Sequence, residues 1–285
     1  MHYIRRLPLL ICLLTCLVQA RAAVVEDVIE IPVIVKTIYN QEVSQNITVT
    51  IWRDDTRDKA PFLVLNHGRP ATPADFARMG RQRYSANATY FVSKGFVVLV
   101  PTRIGYGPSG GSDVEYSGSC EGKMYPPAFK AAADQTVATL NYAKSLPFVD
   151  TSRGFIVGQS FGGATAIALA SLNIEGVVAA VNFAGGGGGD PDNSPERPCR
   201  PDLLQRMFAD YGKAAKVPTA WFYSENDRFW GKDLPKEWFN AFVASGGKGK
   251  FVPMPAYQRN GHSIFTGNPD AWKPAFEEFL KEIGF

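Results

Sequence analysis

Short apolar runs alternating with helix-patterned segments constrain the fold of this chain more than any other feature. Phe62–Leu65 (FLVL) and Phe96–Val100 (FVVLV) are continuous apolar runs, as expected of strands buried on both faces. Gly154–Val157, Val177–Phe183, Thr219–Tyr223 and Lys250–Met254 read as further strands. Between them, helical patterns are expected over residues 74–94, 127–146, 162–172, 202–214, 234–245 and 270–283. Such alternation specifies a mostly parallel sheet with helices on both faces, because parallel neighbours need crossovers that cover the sheet. Ahead of these lie two β-branched runs, Asp27–Thr37 and Asn46–Trp52, which read as an opening hairpin. The expectation is therefore an α/β fold with about eight strands over residues 23–285. Residues 185–215 carry no long helical insertion that would build a large lid. The one low-complexity stretch, Gly185–Gly189, reads as a flexible loop.

Residues 1–22 read as a secretory signal. Arg5 and Arg6 precede an apolar stretch, Leu7–Val18, too short to span a bilayer, and Ala20-Arg21-Ala22 offers a small-x-small cleavage pattern. Cleavage would remove three arginines and no acid, taking Lys+Arg from 30 to 27 against 27 Asp+Glu. A formally neutral chain lacks the basic stripe that nucleic-acid binding needs. No membrane span is expected after cleavage, and the chain is expected to be secreted or periplasmic. Cys12 and Cys16 leave with the signal, so Cys120 and Cys199 remain as an expected disulfide in an oxidising compartment. Closing a loop of about 80 residues stabilises by roughly 4–5 kcal/mol in the chain-entropy picture.

The chemistry concentrates at Gly158-Gln159-Ser160-Phe161-Gly162-Gly163, between a strand-like and a helix-like segment. A serine on a sharp strand-to-helix turn needs small neighbours, and Gly158 and Gly162 supply the room. Such a hydroxyl becomes a nucleophile only beside a base that a third group orients. Past the signal only His67 and His262 are available. The order nucleophile, acid, histidine selects His262, which follows the last strand. The acid is expected after the preceding strand, in Ser224-Glu225-Asn226-Asp227. Asp227 lies better placed than Glu225, which is the fallback.

These motifs, with Asn66-His67-Gly68 and Asn182-Phe183-Ala184-Gly185-Gly186, resemble those of the α/β-hydrolase superfamily, and within it of dienelactone-hydrolase-like serine hydrolases. The resemblance runs from about Asp27 to the C-terminus. It implies a triad of Ser160, Asp227 and His262, with no cofactor and no metal. Dienelactone hydrolase itself uses cysteine as nucleophile; serine here points toward ordinary esters. Backbone amides of Phe161 and of Gly68 or Arg69 are the expected oxyanion donors. His67 is expected to brace that turn.

Loops after the strands carry the expected substrate determinants. Tyr106, Tyr116, Phe161, Phe229 and Trp230 are candidates for an aromatic acyl pocket. Arg69 and Arg103 are candidates for meeting a substrate carboxylate. Cys120 and Cys199 fall in two of these loops, so their bridge would staple the rim. The expected partner is a small or extended ester. A peptidase or amidase, a polyester or cell-wall-ester depolymerase, and a binding protein on a hydrolase scaffold remain as alternatives.

Overall fold

The computed structural model describes residues 24–285. The expected signal segment lies outside the described residues. Eight strands form one sheet in the order β1-β2-β4-β3-β5-β6-β7-β8. The strands are β1 (Val24–Lys36), β2 (Glu42–Asp54), β3 (Ala60–Asn66), β4 (Val97–Thr102), β5 (Val149–Gln159), β6 (Val177–Phe183), β7 (Thr219–Ser224) and β8 (Gly249–Met254). The hairpin β1–β2 is antiparallel and joins β4 antiparallel; every other pairing is parallel.

The continuous apolar runs have the expected cause. On β3, Phe62 and Val64 join one hydrophobic core while Leu63 and Leu65 join the other, so successive side chains are buried on opposite faces. The first core is completed by α2 (Tyr125–Ser145), α3 (Phe161–Ser171), α4 (Pro201–Ala214) and α5 (Leu234–Ala244). The second is closed by α1 (Ser85–Ser93), the single turn α6 (Ile264–Gly267) and α7 (Pro269–Glu282). There Phe91, Trp272 and Phe276 pack with their ring centroids 5.4–6.0 Å apart.

The helix expected over 74–94 is only partly formed. Residues 73–75 and 77–79 make single 3-10 turns, Gly80 adopts φ 65°, and the helix starts at Ser85. The intervening backbone is claimed by β2 and β4 instead. Gln82 N–H donates to Thr102 Oγ1 at 2.9 Å, and Trp52 Nε1 donates to the Arg83 carbonyl at 3.1 Å. Arg81 and Arg83 both pair with Glu26 on β1.

Strand order places the functional end of the sheet. After β3 the chain crosses to β4 on the hairpin side, then returns to β5 on the other side of β3. The loops leaving β3 and β5 therefore diverge, opening a crevice at their carboxyl ends. Asn66 at the end of β3 lies in register with Gly158 on β5, which brings His67-Gly68-Arg69 beside Ser160.

Candidate active site

Ser160 sits between β5 and α3 with φ 56° and ψ −124°, a conformation that ordinarily costs a non-glycine residue about 1–3 kcal/mol. Hydrogen bonds hold it there: its N–H donates to the Phe183 carbonyl at 2.8 Å, and its carbonyl accepts from Gly163 at 2.8 Å and Gly186 at 3.3 Å. The flanking glycines are steric necessities. A β-carbon on Gly158 would overlap the Gly162 carbonyl, and one on Gly162 would overlap the Asn66 and His67 carbonyls. The Ser160 side chain opens onto a cavity of about 240 Å³.

His262 follows β8 in a tight turn, and one asparagine sets its place. Asn260 Oδ1 accepts from the His262 amide at 3.1 Å and from the Arg228 amide at 3.0 Å, tying the β8 loop to the β7 loop. Asp227, fully buried after β7, places Oδ2 2.8 Å from His262 Nδ1. Its Oδ1 accepts from the Phe229 amide at 2.8 Å and the Trp230 amide at 3.4 Å. An ionised carboxylate is acceptor-only, so Nδ1 carries the proton and Nε2 keeps its lone pair. Glu225 is not at this position; it accepts from the Ala256 amide at 3.3 Å on an exposed edge. Gln159, next to Ser160, donates to the His262 carbonyl at 3.3 Å, and Phe229 stacks on the imidazole at 3.9 Å while also lining the cavity. The Ser160 hydroxyl itself makes no hydrogen bond among the described residues; such bonds commonly tighten only with substrate bound.

The turn after β3 lies against the serine: a β-carbon on Gly68 would stand 3.1 Å from Ser160 Cβ. His67 is fully buried and braces this turn. Its Nδ1–H donates to the Gly68 carbonyl at 2.6 Å, and Nε2 accepts from the Arg103 amide at 3.2 Å. Burial, with the Arg103 charge nearby, holds its pKa well below the ordinary histidine value, so the ring is neutral. Burial also pushes the Tyr84 phenol up to about 12, an effect the adjacent Gly68 amide partly offsets. The Tyr84 hydroxyl donates in turn to Gln159 Oε1 at 3.1 Å. The Gly68, Arg69 and Phe161 amides have no hydrogen-bond acceptor among the described residues.

Two expected substrate contacts are corrected. Arg103 is fully buried, paired with the equally buried Glu115 through Nε–Oε1 and through Nη2–Oε2 at 3.2 Å, and donates from Nη1 to the His67 carbonyl at 3.0 Å. Tyr106, 1% exposed, donates to Glu115 Oε2 at 2.8 Å. A cation without water needs a carboxylate, and Glu115 supplies it, leaving neither side chain free for a ligand. Arg69 does line the cavity, but Asp113 takes its guanidinium through two bonds, Nη1–Oδ1 at 2.6 Å among them. Tyr116, Phe161, Phe229 and Trp230 line the cavity as expected.

The sequence reading did not single out Glu115, Asp113, Lys123, Tyr84, Gln159 or Asn260. Only Asn260 carried a local signal, as an Asx residue two positions before the histidine. The glycine run is also not the flexible loop expected. Tyr223 and Tyr125 hydroxyls donate to the Gly185 and Gly187 carbonyls at 2.7 and 3.1 Å, and the Cys199 amide donates to Gly188 at 2.9 Å. Gly186–Gly189 form one wall of the cavity. Cys120 and Cys199 are bridged, with Cα atoms 5.0 Å apart, fastening this wall to the loop that carries Tyr116 and Lys123. No helix among the described residues is long and apolar enough to cross a membrane.

Residues 62–283 match the model of the alpha/beta hydrolase family. A curated relative, the quorum-quenching protein AidA of Acinetobacter baumannii, is 30% identical over 122 residues, which is 42% of this chain. The match spans about a third of that protein, 34% of its length. Among solved structures, one from Klebsiella pneumoniae assigned as a dienelactone hydrolase is similar at TM-score 0.57 and 15% identity, covering 90% of this chain and 98% of that one. An esterase from Pyrococcus furiosus gives 0.55 at 16% identity, with 89% and 90% covered. An acylaminoacyl peptidase from Pyrococcus horikoshii gives 0.57 at 16% identity, with 89% of this chain but 41% of that chain covered. At such identities the likeness speaks for the fold, which is dienelactone-hydrolase-like, and the family follows from the match across residues 62–283: this chain belongs to the alpha/beta hydrolase family.

Proposed function

We propose that this hydrolase is exported and cleaves small or medium carboxylic esters through an acyl intermediate on Ser160. The observation that carries the reading is the Asp227–His262 contact of 2.8 Å, held beside a strained Ser160 that opens onto a cavity. His262 Nε2 takes the Ser160 proton as Oγ attacks the ester carbonyl. The amides of Phe161 and of Gly68 or Arg69 receive the oxyanion, which a donor of this kind stabilises by about a hundredfold or more in rate. Collapse expels the alcohol, protonated by His262, and leaves acyl-Ser160. Water, deprotonated by the same imidazole, then releases the acid and restores the hydroxyl. Asp227 fixes the tautomer throughout and stabilises the imidazolium. Export is supported by the Cys120–Cys199 bridge, which fits an oxidising compartment.

The test is covalent labelling. A fluorophosphonate should modify the wild-type chain at Ser160 and leave Ser160→Ala unmodified. The wild type should hydrolyse p-nitrophenyl acetate and butyrate and discriminate against the octanoate, because the cavity is small. Absence of both labelling and Ser160-dependent hydrolysis would refute the reading. Peptide amides cleaved in preference to esters would move it to a peptidase.

The bridge gives a second expectation. Because it joins two walls of the cavity and not the two cores, mild reduction should lower ester hydrolysis several-fold while far-UV circular dichroism is unchanged. Parallel loss of activity and dichroism would assign the bridge to general stability instead.

A further inference from the structure

Three charged side chains line the cavity: Arg69, Asp113 and Lys123. The first two satisfy each other in a bidentate pair, so their charges cancel. Lys123 has no carboxylate within ion-pair distance among the described residues. Its Nζ is held by two neutral acceptors, Ser117 Oγ at 3.2 Å and the Gly118 carbonyl at 2.8 Å, which leaves one N–H unused. The side chains lining the cavity therefore carry one net positive charge, with Lys123 fixed three residues from Cys120 of the bridge. Burial and the neighbouring Arg69 push the Lys123 pKa down, against the opposing pull of Asp113 and Glu121. The glycine wall has matching polarity. The Gly187 and Gly188 carbonyls are consumed by Tyr125 and Cys199, whereas the Gly187, Gly188 and Gly189 amides donate to nothing among the described residues.

We infer that this cavity selects half-esters of short dicarboxylic acids, the free carboxylate being held by Lys123 and the amides of the glycine wall while the ester carbonyl meets Ser160. The inference rests on the ester-hydrolase reading above. It differs from a generic esterase in demanding charge at the far end of the acyl group. A charge-assisted hydrogen bond of this kind contributes about tenfold or more to discrimination.

The test compares monomethyl glutarate with methyl pentanoate, which differ by a carboxylate in place of a terminal methyl, followed by pH-stat with the full chain. The wild type should favour the half-ester in kcat/KM by about tenfold, mainly through KM. Lys123→Met should erase the preference, and Lys123→Arg should retain most of it. Lys123→Gln serves where the methionine variant does not fold. Ser160-dependent cleavage of both esters with a ratio that Lys123 variants leave unchanged would overturn the inference. If neither ester is cleaved, the hydrolase reading fails first, and calorimetry with free glutarate decides the subsite separately. Glutarate binding that Lys123→Met abolishes would uphold the anion subsite; no binding to the wild type would overturn it.

Discussion

Replacing Asp227 with asparagine is expected to lower kcat for ester hydrolysis by about 10⁴, with KM and the fold little changed. The geometry explains so large an effect from an isosteric change. Asp227 Oδ1 is already committed to the Phe229 and Trp230 amides, so an asparagine would keep its carbonyl there. Its amide group would then face His262 Nδ1, now 2.8 Å from Oδ2, and donate to it. That moves the ring proton to Nε2, where a lone pair is needed to take the proton of Ser160. The imidazole would stay in place in the wrong tautomer. Glu225→Gln is the control, since the Glu225 carboxylate accepts only from the Ala256 amide on an exposed edge. Steady-state kinetics on p-nitrophenyl butyrate decide the matter. A loss below tenfold in Asp227→Asn, or an equal loss in Glu225→Gln, would displace Asp227 from this role.

What could be read from the sequence was whatever depended on local pattern. Continuous runs such as Phe62–Leu65 announce burial on both faces because alternate residues reach different cores. The turn at Ser160 was legible because Gly158 answers to a contact within a few residues, the Gly162 carbonyl, even though Gly162 answers to Asn66 and His67 on the neighbouring strand end. Asp227 and His262 stand 35 residues apart, yet each follows a strand whose neighbour in the sheet the alternation already implied. Arg103 failed as a substrate contact because its fate depends on Glu115, and nothing in the local sequence says that a carboxylate in a long loop will turn inward. Residues 74–84 failed as a continuous helix for a related reason. Their backbone groups bond to Thr102 and Trp52, a tertiary demand that outweighs helical patterning. Lys123 escaped notice because an unpaired cation is recognised only once every neighbouring carboxylate has been placed.

The buried pair behind the turn after β3 should be the most sensitive structural point near the site. Arg103 and Glu115 are both fully buried, and Arg103→Met would leave the Glu115 carboxylate with only the Tyr106 hydroxyl as donor. Stranding a buried charge in this way costs about 3–5 kcal/mol, corresponding to a fall in Tm of roughly 6–20 °C for a domain of this size. The double change Arg103→Met with Glu115→Gln should recover most of that loss, since no unpaired charge stays buried and the glutamine still offers Tyr106 an acceptor. Activity should not recover with it. Arg103 also fixes the turn, donating to the His67 carbonyl at 3.0 Å and, through its amide, to His67 Nε2 at 3.2 Å. Only the side-chain bond is lost, but it holds the strand end from which the Arg69 amide projects. Calorimetry and kinetics on the same two variants therefore separate the roles. Recovery of Tm with kcat still depressed would place the pair as a positioning element for the turn after β3 and support the oxyanion role proposed for it. Recovery of both would reduce it to packing, and a single-variant Tm within a few degrees of wild type would contradict the burial of the pair itself.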